Sequence, residues 1–220
     1  MWMRFGVAPR RTGMASTDFQ AYWKDQHAPV VCGMPGLRLY HQNHAVLHRG
    51  EPLLPWPGFD ACAQFGAEDP GGFDTAFMSE HYRGPVTEDA RRFVDTTRGG
   101  IVLCGSPLCV NGSIEAPIGG DAVRLLSFFR CAPSVALATL GDGLRMLKAP
   151  ADALGRAVYG AVPEAGKPPG IFDAIEILAF PHADAAVAHV LGGEARRRME
   201  PLAGAIRGTE RLIARVAVIL

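Results

Sequence analysis

The sequence predicts an α+β protein built from two tandem βαββαβ units whose antiparallel sheets pack face to face. A repeated segment and a break between its copies carry that reading. Gly58-Phe59-Asp60-Ala61-Cys62-Ala63-Gln64-Phe65 returns half a chain later as Gly170-Ile171-Phe172-Asp173-Ala174-Ile175-Glu176-Ile177. Each copy follows a Pro/Gly-rich loop and precedes a short helical pattern. Between them, residues 111–120 (Asn111 to Gly120) are rich in turn formers and lack periodicity, which marks a linker. The two units are therefore expected at 1–110 and 121–220.

In the first unit, a strand at Trp2–Ala8 leads through the turn Arg10-Arg11-Thr12-Gly13 to a helix over Ser16–His27. Ser16 or Thr17 can cap that helix, and Asp18 suits its positive end. Phe19, Trp23, Gln26, His27 and Val30 share one helical face, and Pro29 kinks or closes the last turn. Strands follow at Leu37–His48 and Phe59–Ala67, then a helix from Pro70 through Phe77, then a strand over Ile101–Val110. The second unit repeats the order: strand Ala122–Arg130, helix Ser134–Lys148, strands Gly155–Val162 and Phe172–Phe180, helix Ala183–Leu191, a short helix Glu194–Glu200 and strand Arg211–Ile219. Each unit is a ferredoxin-like split motif with helices on one sheet face. Packing the two bare faces together hides both and encloses a volume between them.

Composition narrows the partners. The 220 residues are 48% hydrophobic and 20% charged, with Lys+Arg and Asp+Glu balanced at 22 each, so the basic excess of a nucleic-acid surface is missing. Arg196-Arg197-Arg198 is too short a run and reads as a solvated helix face. No segment approaches the roughly 18 apolar residues of a membrane span, and no signal-peptide pattern opens the chain. A cytoplasmic protein with a small-molecule substrate, and neither nucleic acid nor membrane as partner, is expected. The five cysteines are odd in number and form no CxxC pair, so they read as reduced thiols.

Chemistry concentrates in one block, where four of the seven histidines (His27, His41, His44, His48) fall within 22 positions. Strand alternation assigns Leu37 and Leu39, with Phe59, Ala61, Ala63 and Phe65, to the helix-covered face. It then leaves Arg38, Tyr40, Gln42, His44, Asp60, Cys62 and Gln64 lining the space between the sheets. The second unit, apolar on both strand faces apart from Asp173 and Glu176, serves as the opposite wall, giving the greasy lining with few placed polar groups of a small-molecule pocket.

His44 is the first candidate for a catalytic acid or base, with Asp60 fixing its tautomer; the competing reading is a hydrogen-bonded core histidine. His27, on the stripe of Trp23, either closes the core edge or turns into the pocket mouth. Tyr40 and Gln42 polarise a substrate carbonyl or make structural hydrogen bonds. Asn43, on the opposite face, reads as structural. The Cys62 thiol has no assignable helix N-terminus or cation to activate it, so packing is favoured. His81 and Tyr82 belong to a pocket rim or a solvated loop. His41-x2-His44-x3-His48 does not hold a metal, since His41 and His44 alternate and His44 lies roughly 13 Å from His48 along a strand. A site joining His27, His44 and Asp60 is the metal alternative. No phosphate-binding loop or dinucleotide fingerprint is present, and no metal or cofactor is expected.

The run Met14-Ala15-Ser16-Thr17-Asp18-Phe19-Gln20-Ala21-Tyr22-Trp23-Lys24-Asp25-Gln26-His27-Ala28-Pro29, with Pro35-Gly36-Leu37-Arg38-Leu39-Tyr40-His41-Gln42-Asn43-His44, closely resembles the EthD domain family. Phe59-Asp60-Ala61 and Ser79-Glu80-His81-Tyr82-Arg83 fall where that family has Tyr-Asp-Gly and Ser-Pro-Glu-Tyr-Arg. The resemblance is clear over 1–110 and degenerate over 121–220. It implies a dimeric α+β barrel, here closed within one chain by the two units, and leaves room for a homodimer. The wider superfamily includes polyketide cyclases, muconolactone isomerases, cofactor-free monooxygenases and haem-binding enzymes. Gln64 replaces an acidic residue common in the family, which counts against a carboxylate mechanism there.

The functional expectation is a cofactor-independent enzyme acting on a small apolar carbonyl compound in aromatic, polyketide or xenobiotic metabolism. His44 moves a proton α to the carbonyl, Asp60 orients it and His27 assists. Trp23, Arg38, Tyr40, Gln42, Cys62 and Gln64 hold the substrate. Isomerisation, cyclisation with dehydration and decarboxylation all fit. The alternatives are a non-catalytic binder of a hydrophobic metabolite or haem, and an accessory protein with a collapsed pocket.

Overall fold

A computed structural model describes residues 1–7, 9–54, 59–164, 166 and 169–220; Ala8, the expected end of the first strand, and Gly58 of the repeated segment lie outside them. The first half runs β1 (Trp2–Val7), α1 (Ser16–Tyr22), a π-helical turn (Trp23–His27), α2 (Ala28–Val31), β2 (Leu39–Ala45), the small hairpin β3 (Leu47–His48) and β4 (Glu51–Pro52), then β5 (Ala61–Ala67). It continues with α3 (Pro70–Phe77), a second π-helical turn (Tyr82–Val86), α4 (Thr87–Ala90) and β6 (Gly100–Cys104). The second half follows as β7 (Cys109–Gly112), β8 (Val123–Cys131), α5 (Leu137–Met146), β9 (Gly155–Gly160), β10 (Ala174–Phe180), α6 (Ala183–Leu191), α7 (Glu194–Met199) and β11 (Ile206–Val218).

Nine strands form one sheet in the order β6-β1-β5-β2-β11-β8-β10-β9-β7. Within each half this is the ferredoxin-like order of fourth, first, third and second strand, as the repeated segment predicts. The halves join where β2 pairs antiparallel with β11, from Ala45↔Ala214 to His41↔Val218. At the other end the sheet curls back on itself: Cys104 bridges Ala161, and the Val162 amide donates to the Leu103 carbonyl at 2.8 Å. The result is an α+β barrel with helices outside. The strand expected over Ile101–Val110 divides at Gly105-Ser106-Pro107, where proline withholds a ladder donor. Its second piece, β7, pairs with β9 of the second half.

The enclosed volume expected between the sheets is filled. Phe5, Phe128, Tyr159, Phe172, Ile175 and Ile177 pack there from both halves, and the Phe5 and Tyr159 rings meet at 5.2 Å. Each such side chain contributes about 1.5–3 kcal/mol by leaving water. The second half is therefore the first half's packing partner and not the far wall of a pocket.

β2 turns the opposite way from its expected orientation. The turn at Gly36, which needs a left-handed φ of 81°, delays strand entry to Leu39. Leu37 packs beneath the helices while Leu39 points into the barrel. Because β2 and β5 pair as Tyr40↔Phe65, Gln42↔Ala63 and His44↔Ala61, those residues face the helix layer. His41↔Gln64 and Asn43↔Cys62 face the barrel interior. The expected group of Tyr40, Gln42, His44, Cys62 and Gln64 is thus split between the two faces of the sheet.

Under the helices of the second half lies a buried ion network. Glu176, 1% exposed, accepts from Arg156 Nε at 2.6 Å and from Arg198 Nη2 and Nη1 at 2.6 and 2.7 Å. Arg156 also holds the Leu147 carbonyl at 2.7 Å and that of Leu144, tying down the C-terminus of α5.

Candidate active site

The space between helices and sheet is open in the first half. A cavity of about 380 Å³ lies over β1, β2 and β5, walled by the two π-helical turns and the segment after α4. Its lining is aromatic: Phe19, Trp23, Tyr40, Phe65, Phe77 and Phe93 all face it. Tyr40 stacks on Phe65 at 4.9 Å with their planes 10° apart, presenting a flat floor. Thr96, Thr97 and Arg98 stand at the rim.

Both π turns have a proline that explains them. Pro29 cannot donate to the carbonyl four residues earlier and crowds it, and the helix relieves this by widening over Trp23–His27, where the Ala28 amide reaches the Trp23 carbonyl. Pro85 sits inside the second turn, where Thr87 Oγ1 donates to the Tyr82 carbonyl at 2.6 Å. The helix expected to close near Pro29 therefore continues through α2.

His27 turns into the cavity. Its Nδ1 donates to Asp89 Oδ2 at 2.8 Å, and Tyr22 Oη donates to Asp89 Oδ1 at 2.6 Å. With Nδ1 so engaged, Nε2 is the nitrogen offered to a ligand. Burial lowers the His27 pKa, with Asp89 opposing. Burial works to raise the Asp89 carboxyl, but hydrogen bonds from Tyr22 and His27 outweigh it and hold the group below its usual value. The pair is a neutral imidazole oriented by a carboxylate, the arrangement of a general base.

Tyr40 is the second polar group on the cavity. Burial pushes its phenol up, and hydrogen bonds from Gln42 and Trp23 partly offset this. The Gln42 amide donates to Tyr40 Oη at 2.8 Å and to the Trp23 carbonyl at 2.8 Å, while Gln42 Oε1 accepts from His44 Nε2 at 2.9 Å. A phenol accepting from amide donors keeps its own proton to give, so it can donate to an oxygen in the cavity.

His44 does not line the cavity. It lies behind Trp23, with ring centroids 4.6 Å apart, and its pKa is pulled down to about 4 by burial first and Lys24 second. Nor does it meet Asp60, whose carboxylate holds the Arg10 guanidinium and accepts from the Arg10 amide at 3.0 Å. Cys62 faces the barrel interior with its thiol pushed up by burial. Gln64 accepts from Arg124 at 3.3 Å, and the same guanidinium reaches Asn43 at 3.1 Å. Arg38 is exposed and pairs with Glu68 at 3.1 Å. Tyr82 lines the cavity, while His81 Nε2 binds the Val30 carbonyl at 2.7 Å and closes the end of α2. Sequence reasoning brought Trp23, His27 and Tyr40 to one site and missed Asp89, Tyr22 and Phe93.

Residues 11–97 match the family model for the EthD domain. No curated protein matches the chain. Solved structures of similar fold include an anthrone oxidase-like protein, at TM-score 0.69 and 12% identity over 99% of this chain and 93% of that one. A candidate monooxygenase of Fusobacterium nucleatum subsp. nucleatum aligns at TM-score 0.58 and 7% identity, over 99% of this chain and 93% of that one. Another from Lactobacillus acidophilus aligns at 0.52 and 12%, over 100% and 94%. At these identities the likeness is one of fold. Among the described residues no helix is long and apolar enough to cross a membrane.

Proposed function

We propose that this chain, whose residues 11–97 match the EthD domain model, is a small-molecule enzyme that takes a proton from a flat, largely apolar carbonyl compound. The observation that carries this reading is the Asp89–His27 pair, 2.8 Å apart, on the wall of an aromatic cavity that also presents the Tyr40 phenol. His27 Nε2 removes a proton from a carbon α to the substrate carbonyl or, as in anthrone, conjugated with it through an aromatic ring, and Tyr40 donates to the enolate oxygen as charge develops. Asp89 is a positioning residue, holding the imidazole tautomer and favouring the imidazolium. His44 is another, acting through Gln42 on Tyr40. The site belongs to the first of two units, and the boundary between them falls before β7 (Cys109–Gly112), which pairs with β9 of the second half, not after residue 110 as the sequence suggests.

Isomerisation, cyclisation with dehydration and decarboxylation share that first step. The similar structures, described as an anthrone oxidase-like protein and two candidate monooxygenases, favour dioxygen as second substrate. The carbanion then adds to dioxygen, the peroxide anion takes up the His27 proton, and removal of the second hydrogen from the same carbon with cleavage of the O–O bond releases water and leaves a new carbonyl. One oxygen atom ends in product and one in water, with no external reductant.

Anthrone and related tricyclic ketones are the first substrates to offer, following dissolved oxygen and product together. One dioxygen per turnover is expected, and His27→Gln is expected to lose at least about 100-fold in rate while still binding the ligand. Unchanged turnover in His27→Gln refutes the assignment. Turnover without oxygen uptake points to the non-oxidative outcomes. A retained metabolite, or a haem-like absorption band with no turnover, favours the carrier reading.

A further inference from the structure

The second half carries a set of ligand atoms unrelated to the cavity. Asp152 stands on the loop between α5 and β9, His189 near the end of α6, and Glu194 at the start of α7. One ligand atom from each lies within 4.8 Å of the others. Gly193, in the left-handed region with φ 80°, reverses the chain between the two helices and brings Glu194 back over His189. The His189 side chain is 1% exposed and its ring packs on Phe180 at 5.3 Å, so the imidazole is fixed.

Its Nδ1 makes no hydrogen bond among the described residues. That nitrogen lies 3.4 Å from Glu194 Oε2, in geometry that is not a hydrogen bond. A buried, fixed ring nitrogen left without a hydrogen bond and facing carboxylate oxygens is an arrangement that a bound cation completes. Two ligands each about 2.1 Å from a tetrahedral ion stand about 3.4 Å apart, the separation found here. The exposed Asp152 carboxylate, within 4.8 Å of the other two ligand atoms, completes the set by rotation of its side chain.

We propose that Asp152, His189 and Glu194 bind a divalent transition-metal ion, with water filling the remaining positions. One imidazole, two carboxylates and no sulfur suit Zn²⁺ or Mn²⁺. The ion would clip α6, α7 and the α5–β9 loop together, and by mass action it raises the stability of the folded chain.

The test is calorimetric titration of EDTA-treated full chain, its exposed Cys32 alkylated under native conditions, with ZnCl₂ and, separately, MnCl₂, together with melting curves. One ion per chain is expected, with a melting temperature that rises with metal and falls back with EDTA. Glu194→Gln and Asp152→Asn change more exposed groups than His189 and are expected to keep the metal-free melting temperature while weakening binding at least ten-fold. No binding of either ion up to about 1 mM, a concentration well above Kd for a three-ligand zinc site, overturns the proposal. So does binding in Glu194→Gln as tight as in the unmodified chain.

Discussion

Glu176→Gln probes the buried network that occupies the second half where the first half has its cavity. The carboxylate is 1% exposed and receives three charge-assisted hydrogen bonds, at 2.6, 2.6 and 2.7 Å, from Arg156 and Arg198. Its replacement removes the one anion facing two guanidiniums and leaves a single amide oxygen to share between them. Breaking a buried ion pair from one side costs about 3–5 kcal/mol. For a chain of this size, each kcal/mol shifts the melting temperature by about 2–4 °C, so a fall of roughly 6–20 °C is expected. Urea unfolding followed by tryptophan fluorescence is a demanding assay, because Trp2, Trp23 and Trp56 all stand in the first half. If the continuous sheet unfolds as one unit, their signal must report a lesion made in the other half. Burial works to raise the Glu176 pKa, but Arg198 and Arg156 outweigh it and hold it below 4.5. Its stabilising contribution is therefore fully present above the unfolded value and is lost as pH falls through the lower folded value. The gap between wild type and variant should stay constant from neutral pH down to the ordinary carboxylate range and narrow progressively as the pH falls below it. A cost under about 1 kcal/mol, or a fluorescence midpoint that does not move, refutes the reasoning.

Other outcomes follow from the first half. Asp89→Asn is expected to lower turnover through the wrong His27 tautomer, by about 10²–10⁴-fold as for loss of a general base, the serine-protease triad losing about 10⁴-fold in the equivalent change; because Asp89 raises the His27 pKa, the acidic limb of the pH–rate profile should move to lower pH. Tyr40→Phe should cost on the order of 10²-fold in kcat with little change in ligand Kd, and equal losses in both would assign Tyr40 to ground-state binding. His44 ordinarily titrates near 6.5 and is held at about 4 in the fold, so the folded state loses on the order of 3 kcal/mol as pH falls from 6.5 to 4. His44→Gln should remove that part of the acid sensitivity in urea titrations at pH 7 and pH 4, and an unchanged pH dependence would count against the buried neutral imidazole.

The order of elements was legible because amphipathic helices and turn-bounded apolar runs announce themselves locally. The Trp23–His27 stripe, and with it one wall of the cavity, was legible for the same reason. The facing of β2 was not, since alternation reveals orientation only when one face meets water. Here Leu39, partly buried, and Ala45, buried, pack against the barrel interior, and Tyr40, Gln42 and His44 are buried beneath the helices. Polar residues then mark neither side. Asp89 was beyond reach because it is one of 22 acidic residues and lies 62 positions from His27, with no local pattern linking the two. The pairing of His44 with Asp60 failed because Arg10, outside the histidine block, supplies Asp60 with a nearer and stronger partner.

The seam between β2 and β11 sets a timetable for synthesis. The strand that carries Tyr40, Gln42 and His44 is made well before its outer neighbour, Ile206–Val218, which lies about 160 residues further along the chain. At about 5–20 residues per second, the ribosome leaves the β2 edge without a partner for roughly 8–30 s. During that interval Leu39, Gln42 and their neighbours present an open, apolar-flanked edge to any other extended chain nearby. A nascent chain stalled before Ile206 would therefore display this edge permanently, and such truncated products should be especially prone to capture by chaperones or to aggregation.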